Sequence, residues 1–180
     1  MDPSIQFRYW FNDALQVHPD KANTMILATA DTSGMPSARV VLLKDYDREG
    51  FVFFTNYESR KGRQIAENPN AALLFHWYEL ERQVRIEGRI KKTSRKESDE
   101  YFGIRPEGSK ISAVISPQSQ RIPNREYLEQ IRQDHLLIFC NKIVDRPEKW
   151  GGYRLIPHLF EFWQGRENRL HDRFEYIRAN

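Results

Sequence analysis

Short alternating segments cut by turn residues constrain this chain more than any other feature. Thr24 to Thr29 leads through Asp31-Thr-Ser-Gly34 into Ser37 to Lys44, and Asp47-Arg-Glu-Gly50 then opens Phe51 to Thr55. Ala71 to Trp77 and Arg82 to Thr93 continue the pattern. In the latter, Val84, Ile86 and Ile90 share one face, and Gln83, Arg85, Glu87 and Arg89 the other. Runs of this length and period are strands, and the Asp/Gly punctuation makes two hairpins in series, an antiparallel meander. Further strands are expected near Tyr153 to Ile156, Phe160 to Gln164 and His171 to Ile177, after a linker from Asp145 to Gly152.

Helical signals fall between the strands. Asp2 before Pro3 is an N-cap with proline at the first helical position, and Phe7, Trp10, Phe11 and Leu15 recur at helical spacing, so residues 3–16 form an amphipathic helix. Ser59 to Asn68 is a short helix stopped by Pro69, and Ser94 with Glu97 is a capping box opening a helix to about Ile104. Pro106 starts another helix and Arg125 to His135 a third. The fold class expected is mainly β with inserted helices, a small antiparallel barrel. Val40 to Leu43 and Phe51 to Phe54 are apolar on both faces, as a strand covered by helices or a second subunit would be.

The 180 residues suit one domain, and 39% hydrophobic with 29% charged residues suits a globular one. The longest apolar runs, Ala71 to Phe75 and Leu136 to Cys140, fall far short of the ~18 residues that span a bilayer. No membrane association is expected. The single Cys140 excludes an internal disulfide and a cysteine-based zinc site, and its apolar neighbours make it a small buried hydrophobe. The N-terminus has no charged and apolar leader pattern, so cytoplasmic residence is expected.

Cations beside helix starts carry the chemical signal. Ser59-Arg60-Lys61 would present two cations and free N–H groups to an anion, though the same pattern suits a solvated basic turn. Tyr101, Arg105 and Ser109 are spaced by four, with Pro106 breaking the helix between them. They would converge on a phosphate, or else form a cap with Tyr101 in the core. Arg39 and Lys44 point to opposite faces of an unbroken strand. Arg169, His171 and Arg173 share one strand face, suited to stacking on a ring and bonding its substituents, or to guarding a sheet edge. His171 and Asp172, on opposite strand faces, make a poor acid–base pair. The five histidines show no metal-ligand spacing, and no metal is expected.

Seven segments together resemble the pyridoxine/pyridoxamine 5′-phosphate oxidases. They are Arg39 to Lys44, Phe54-Thr-Asn-Tyr-Glu-Ser-Arg-Lys61, Glu81-Arg-Gln-Val84, Tyr101-Phe-Gly-Ile-Arg-Pro-Glu-Gly-Ser109, Ser116-Pro-Gln-Ser119, Trp150-Gly-Gly-Tyr153 and Glu161 to Arg173. The resemblance implies an antiparallel FMN-binding split β-barrel over residues 1–180, working as a homodimer with flavins at the interface. Residues 150–180 would be the dimerisation and active-site segment. It implies flavin contacts at Arg39, Val40, Val41, Leu42, Leu43, Lys44, Phe54, Thr55, Arg60, Lys61, Gln83, Gln118, Ser119, Trp163 and Arg173. Lys44, Tyr101, Arg105 and Ser109 would cradle the substrate phosphate, and Arg169, Leu170 and His171 would face the pyridine ring, with Arg169 and His171 in the catalytic role.

The reaction so implied passes a hydride from a phosphorylated pyridine to FMN, which oxygen reoxidises to give hydrogen peroxide. Beside that family, Phe54 stands where tyrosine is commoner, the N-terminal arm is missing, and Asn180 ends the sequence before a last strand. A shortened scaffold is therefore expected. Two rivals follow: the related flavin oxidase of phenazine biosynthesis, and a flavin-binding protein without turnover. A nucleic-acid partner is suggested only by a pI of about 9.0 and the aromatics, and no recognition motif supports it.

Overall fold

The computed structural model describes residues 2–139 and 142–178. Cys140, expected to be a small buried hydrophobe, lies outside them. Helix α1 (Pro3–Val17) starts as its cap requires: the Asp2 carboxylate accepts from the Ser4 N–H at 2.9 Å, with Pro3 in the first turn. Phe7, Phe11 and Ala14 bury its apolar stripe, and Phe7 meets Phe51 and Phe75 edge-on at ring separations of 4.9 and 5.1 Å.

The strands are β1 (Thr24–Ala30), β2 (Pro36–Leu42), β3 (Asp45–Asp47), β4 (Gly50–Asn56), β5 (Asn70–Trp77), β6 (Arg82–Lys92), β7 (Trp150–Gln164) and β8 (Asp172–Ile177). They form one sheet in the order β2-β1-β5-β6-β7-β4-β3, with β8 also on β7. The pairs β1–β2, β1–β5, β3–β4, β5–β6 and β7–β8 are antiparallel. The first expected hairpin forms as β1–β2, but the Asp47–Gly50 turn joins β4 to the short β3 rather than to the Ser37–Lys44 strand, so there is no meander. β1–β2 and β3–β4 stand at opposite ends of the strand order, because β5 pairs with β1 and β4 with β7. Hairpin turns are local; which strand then covers the free edge is not.

The described residues fall into two compact units. One holds residues 2–53, 64–91 and 154–178; the other holds residues 54–63, 92–139 and 142–153. The first has α1 and most of the sheet, with Leu27, Phe53, Leu73, Phe75, Val84, Ile86 and Leu155 fully buried. The alternation read from β6 holds, since Val84, Ile86 and Ile90 all point into that core.

The second unit packs α3 (Arg95–Gly103), α4 (Glu107–Ile115) and α5 (Arg125–Ile138), with Phe102, Ile111, Ala113, Val144 and Trp150 as its core. The Ser94 and Glu97 capping box is present with both of its hydrogen bonds. Pro106 caps α4 rather than opening it. The expected linker ends at Lys149: Trp150 is buried and begins β7, which runs unbroken for 15 residues through Pro157. Extended backbone tolerates the proline φ, and only one ladder donor is lost. No helix among the described residues is long and apolar enough to cross a membrane.

Candidate functional site

In the second unit, β4 runs through Phe54 and Thr55 to a turn that launches α2 (Arg60–Glu67). Ser59 is fully buried and closes that turn. Its hydroxyl donates to the Asn56 carbonyl at 2.7 Å and accepts from the Gly62 N–H at 3.3 Å, as an N-cap does. Gly62 is required there, because a Cβ would lie 2.1 Å from the Tyr57 carbonyl oxygen. The two cations then diverge in environment. Arg60 is exposed, whereas Lys61 is the one cation buried among the described residues. The Lys61 ammonium donates to the Thr55 hydroxyl at 3.2 Å, and that hydroxyl donates to the Gln118 side-chain oxygen at 3.2 Å. Ser119, beside Gln118, turns the chain with φ +65°. Thr55, Lys61 and Gln118 are thus brought together.

The same unit stacks Tyr101 on Phe54 at a centroid separation of 4.0 Å, with Trp150 nearly parallel 5.5 Å from Phe54. Arg105 lies over the Trp150 ring at 4.6 Å. Its Nη1 is buried without a hydrogen-bond partner among the described residues. Burial lowers the Arg105 pKa, partly countered by the Tyr101 oxygen, and the group stays charged in neutral water. A buried guanidinium nitrogen lacking an acceptor is a place for an anion. Ser109 sits in the first turn of α4, its N–H on the Pro106 carbonyl at 2.9 Å. Tyr101 is therefore neither simply core nor exposed: it is half-buried in a ring stack flanking the arginine.

In the first unit, Arg39 is clasped from several sides. It donates to the Leu27 carbonyl at 3.0 Å, the Thr29 hydroxyl at 2.7 Å, the Ser37 hydroxyl and the Gln64 side-chain oxygen. Thr29 and Ser37 also donate to that oxygen of Gln64 at 2.7 Å each. Val40 and Leu42 face outward, Val41 is half-buried and Leu43 is buried. β2 stops at Leu42, so Lys44 lies past its end, exposed, and the opposite-face relation to Arg39 expected of an unbroken strand does not arise.

Gln83 is half-buried on β6, opposite His76. Trp163 on β7 is opposite Arg173 in register, and its ring lies 4.6 Å from that of His171. The single strand face expected for Arg169, His171 and Arg173 does not form. Asn168 and Arg169 adopt left-handed backbone in a short 3-10 turn over Glu167–Arg169, and His171 precedes β8. Arg169 and Leu170 are exposed in this loop. His171 and Asp172 do not diverge either: Arg166 joins them, its N–H donating to His171 Nδ1 at 3.1 Å and its Nε to Asp172 Oδ2 at 2.8 Å.

Three side chains that hold these residues were given no role in the sequence reading: Gln64, Trp150 and Glu161. Glu161 accepts from Arg85 Nη2 at 3.2 Å and from Arg173 Nη2. Its signal in the sequence was a carboxylate between Phe160 and Phe162, where alternation alone expects a solvated residue.

The sheet, with helices set between its strands, is a split barrel of the kind found in FMN-binding proteins. The structure superposes with a TM-score of 0.76 on a pyridoxamine 5′-phosphate oxidase-related, FMN-binding protein from Nostoc punctiforme, over 97% of this chain and 92% of that one at 16% identity. The chain belongs to the pyridoxamine 5′-phosphate oxidase family. Residues 11–132 match the family's pyridoxamine 5′-phosphate oxidase model, and residues 150–180 match its pyridoxine 5′-phosphate oxidase C-terminal dimerisation region.

Pyridoxine/pyridoxamine 5′-phosphate oxidases of Burkholderia mallei (strain SAVP1) and Burkholderia thailandensis are each 58% identical over 177 residues, 98% of this chain and 82% of theirs. PhzG from Burkholderia lata 383, solved in complex with tetrahydrophenazine-1-carboxylic acid, is 31% identical with a TM-score of 0.92, over 98% of this chain and 87% of that one.

Proposed function

We propose that the protein oxidises pyridoxamine 5′-phosphate or pyridoxine 5′-phosphate to pyridoxal 5′-phosphate, with FMN as cofactor and oxygen as acceptor, releasing hydrogen peroxide. The observation that carries this reading is Arg105: a charged side chain, held over Trp150, with a buried Nη1 that lacks an acceptor among the described residues. A substrate phosphate supplies that acceptor, aided by the hydroxyls of Tyr101 and Ser109 and the ammonium of Lys44.

The residues present also fit FMN. Lys61 is a buried cation at the start of α2, beside the exposed Arg60, where helix N–H groups favour a phosphate. Its ammonium donates to the Thr55 hydroxyl, which in turn donates to Gln118. Arg39 to Leu43, Phe54, Ser119, Gln83, Trp163 and Arg173 complete the set. FMN, when bound, supplies the two-electron acceptor that amino-acid side chains lack. The chain's own part is to bind and orient: Arg169 and Leu170 bracket the pyridine ring, and His171, steadied by the Arg166 N–H, meets its polar substituents. The whole chain is read as one functional domain, active as a homodimer through its dimerisation region.

The test is anaerobic. FMN-loaded protein should lose its yellow colour on addition of pyridoxamine 5′-phosphate, then regain it with aldehyde and peroxide when oxygen is admitted; no bleaching rejects the reading. The likeness to PhzG favours one alternative, a tricyclic carboxylate substrate. Competition between the two substrates separates them.

A further inference from the structure

Glu161 is the only acidic side chain buried among the described residues, at 5% exposure. It lies on β7 between Phe160 and Phe162, whose rings enter the core, so its carboxylate leaves the opposite face of the sheet. A carboxylate so removed from water is costly unless charged donors surround it. Two do, from two of the strands beside β7: Arg85 on β6 and Arg173 on β8. Arg85 also bonds Glu87 at 3.1 Å, so its charge is shared between two carboxylates.

Arg173 is held differently. One nitrogen of its guanidinium meets Glu161, while 64% of the side chain remains open. A guanidinium carries five N–H donors in a rigid fork, so anchoring it at one corner fixes where the others point. Trp163 stands opposite Arg173 in register, and Gln83 precedes Arg85 by two positions on β6, which puts it on the same face. The buried carboxylate therefore sits among Gln83, Trp163 and Arg173, three of the positions read above as flavin contacts.

We propose that Glu161 is a positioning residue for the cofactor: it fixes the Arg173 guanidinium before FMN arrives, so that binding does not have to order a free arginine. This rests on the FMN reading given above. Glu161 touches no reacting atom and acts only through Arg173.

The experiment titrates FMN fluorescence with the full-length apoprotein. The proteins compared are wild type, Glu161→Gln, Arg173→Met, the double variant of these two, and Arg85→Gln. Glu161→Gln should weaken FMN binding by about tenfold, the usual scale for a charged hydrogen bond. The double variant should bind within about twofold of Arg173→Met alone, because the carboxylate has no other route to the cofactor. Arg85→Gln, which leaves the Glu161–Arg173 bond intact, should bind within about threefold of wild type.

Unchanged binding in Glu161→Gln overturns the inference while leaving the FMN reading intact. So does a double variant weaker than Arg173→Met by the full tenfold, which would make Glu161 a purely structural residue. A wild-type protein that binds no FMN overturns the FMN reading and this inference with it. Should Glu161→Gln fold poorly with two arginines deprived of the buried carboxylate, Glu161→Gln combined with Arg85→Gln removes one of them and carries the same comparison.

Discussion

Arg105 illustrates how one residue can be both structural and poised. Its guanidinium packs on Trp150 and Phe102 at 4.6 and 5.6 Å, yet Nη1 finds no acceptor among the described residues. Replacing it, Arg105→Met, should raise KM for the phosphorylated substrate by about 100-fold, the cost of a charged hydrogen-bonded pair. FMN affinity should stay within about twofold of wild type, since Lys61 and Thr55 are untouched. Steady-state kinetics beside flavin titration checks both. Tyr153 gives a second residue-scale expectation. Burial, with the Tyr57 phenol adding to it, pushes its hydroxyl up to about 12. The folded protein holds that proton longer than the unfolded chain, so the stability it contributes is intact below pH 10 and is lost as pH climbs from 10 through 12. Denaturant unfolding across that range should show the decline, and Tyr153→Phe should reduce it.

At the scale of elements, the start of α2 and the β3–β4 turn decide most. The turn into α2 works because Gly62 lets the helix backbone approach Tyr57. Gly62→Ala should cost about 1–3 kcal/mol of stability and loosen FMN as well, since Arg60 and Lys61 ride on the same turn. Thermal unfolding and flavin retention measure the two effects. In the β3–β4 turn, partial burial pushes the Asp47 carboxyl up. The Arg154 guanidinium at 2.6 Å and the Glu49 and Gly50 amides outweigh it and hold the group below its ordinary 3.8. Its stabilisation is present above that value and fades as pH falls through the lowered one, so Asp47→Asn should flatten the acid limb of the stability profile.

These elements were largely legible beforehand, because caps such as Asp2 and Ser94 and the period of β6 act within a few residues. The loop at Arg169 was not, since left-handed backbone at Asn168 and Arg169 carries no periodic signature.

For the whole molecule, the outer face of β1 and β2 matters most. Ile26 and Val40 are directly opposite in register and both exposed, Val40 by 64%, with Leu42 next along the same face at 42%. Apolar cross-strand pairs left open at a sheet end suit a second subunit, in keeping with strands read as apolar on both faces. Val40→Asp should shift the protein to monomer in sedimentation and release FMN, whereas the same kind of change at an exposed leucine of α5, Leu137→Asp, should do neither.

The sequence by itself determined which segments become strands and helices, which side chains can carry charge, and, through its motifs, the family to which the chain belongs. Those properties follow from periodicity, capping and turn chemistry, which act along the chain. Only the tertiary structure decided that Arg105 lies over Trp150 with an unmet donor, that Gln64 gathers Arg39, Thr29 and Ser37, and that Glu161 is buried between two arginines. These contacts join residues from separate elements. Their energies depend on strand order and on exclusion of water, which no local pattern in the sequence contains.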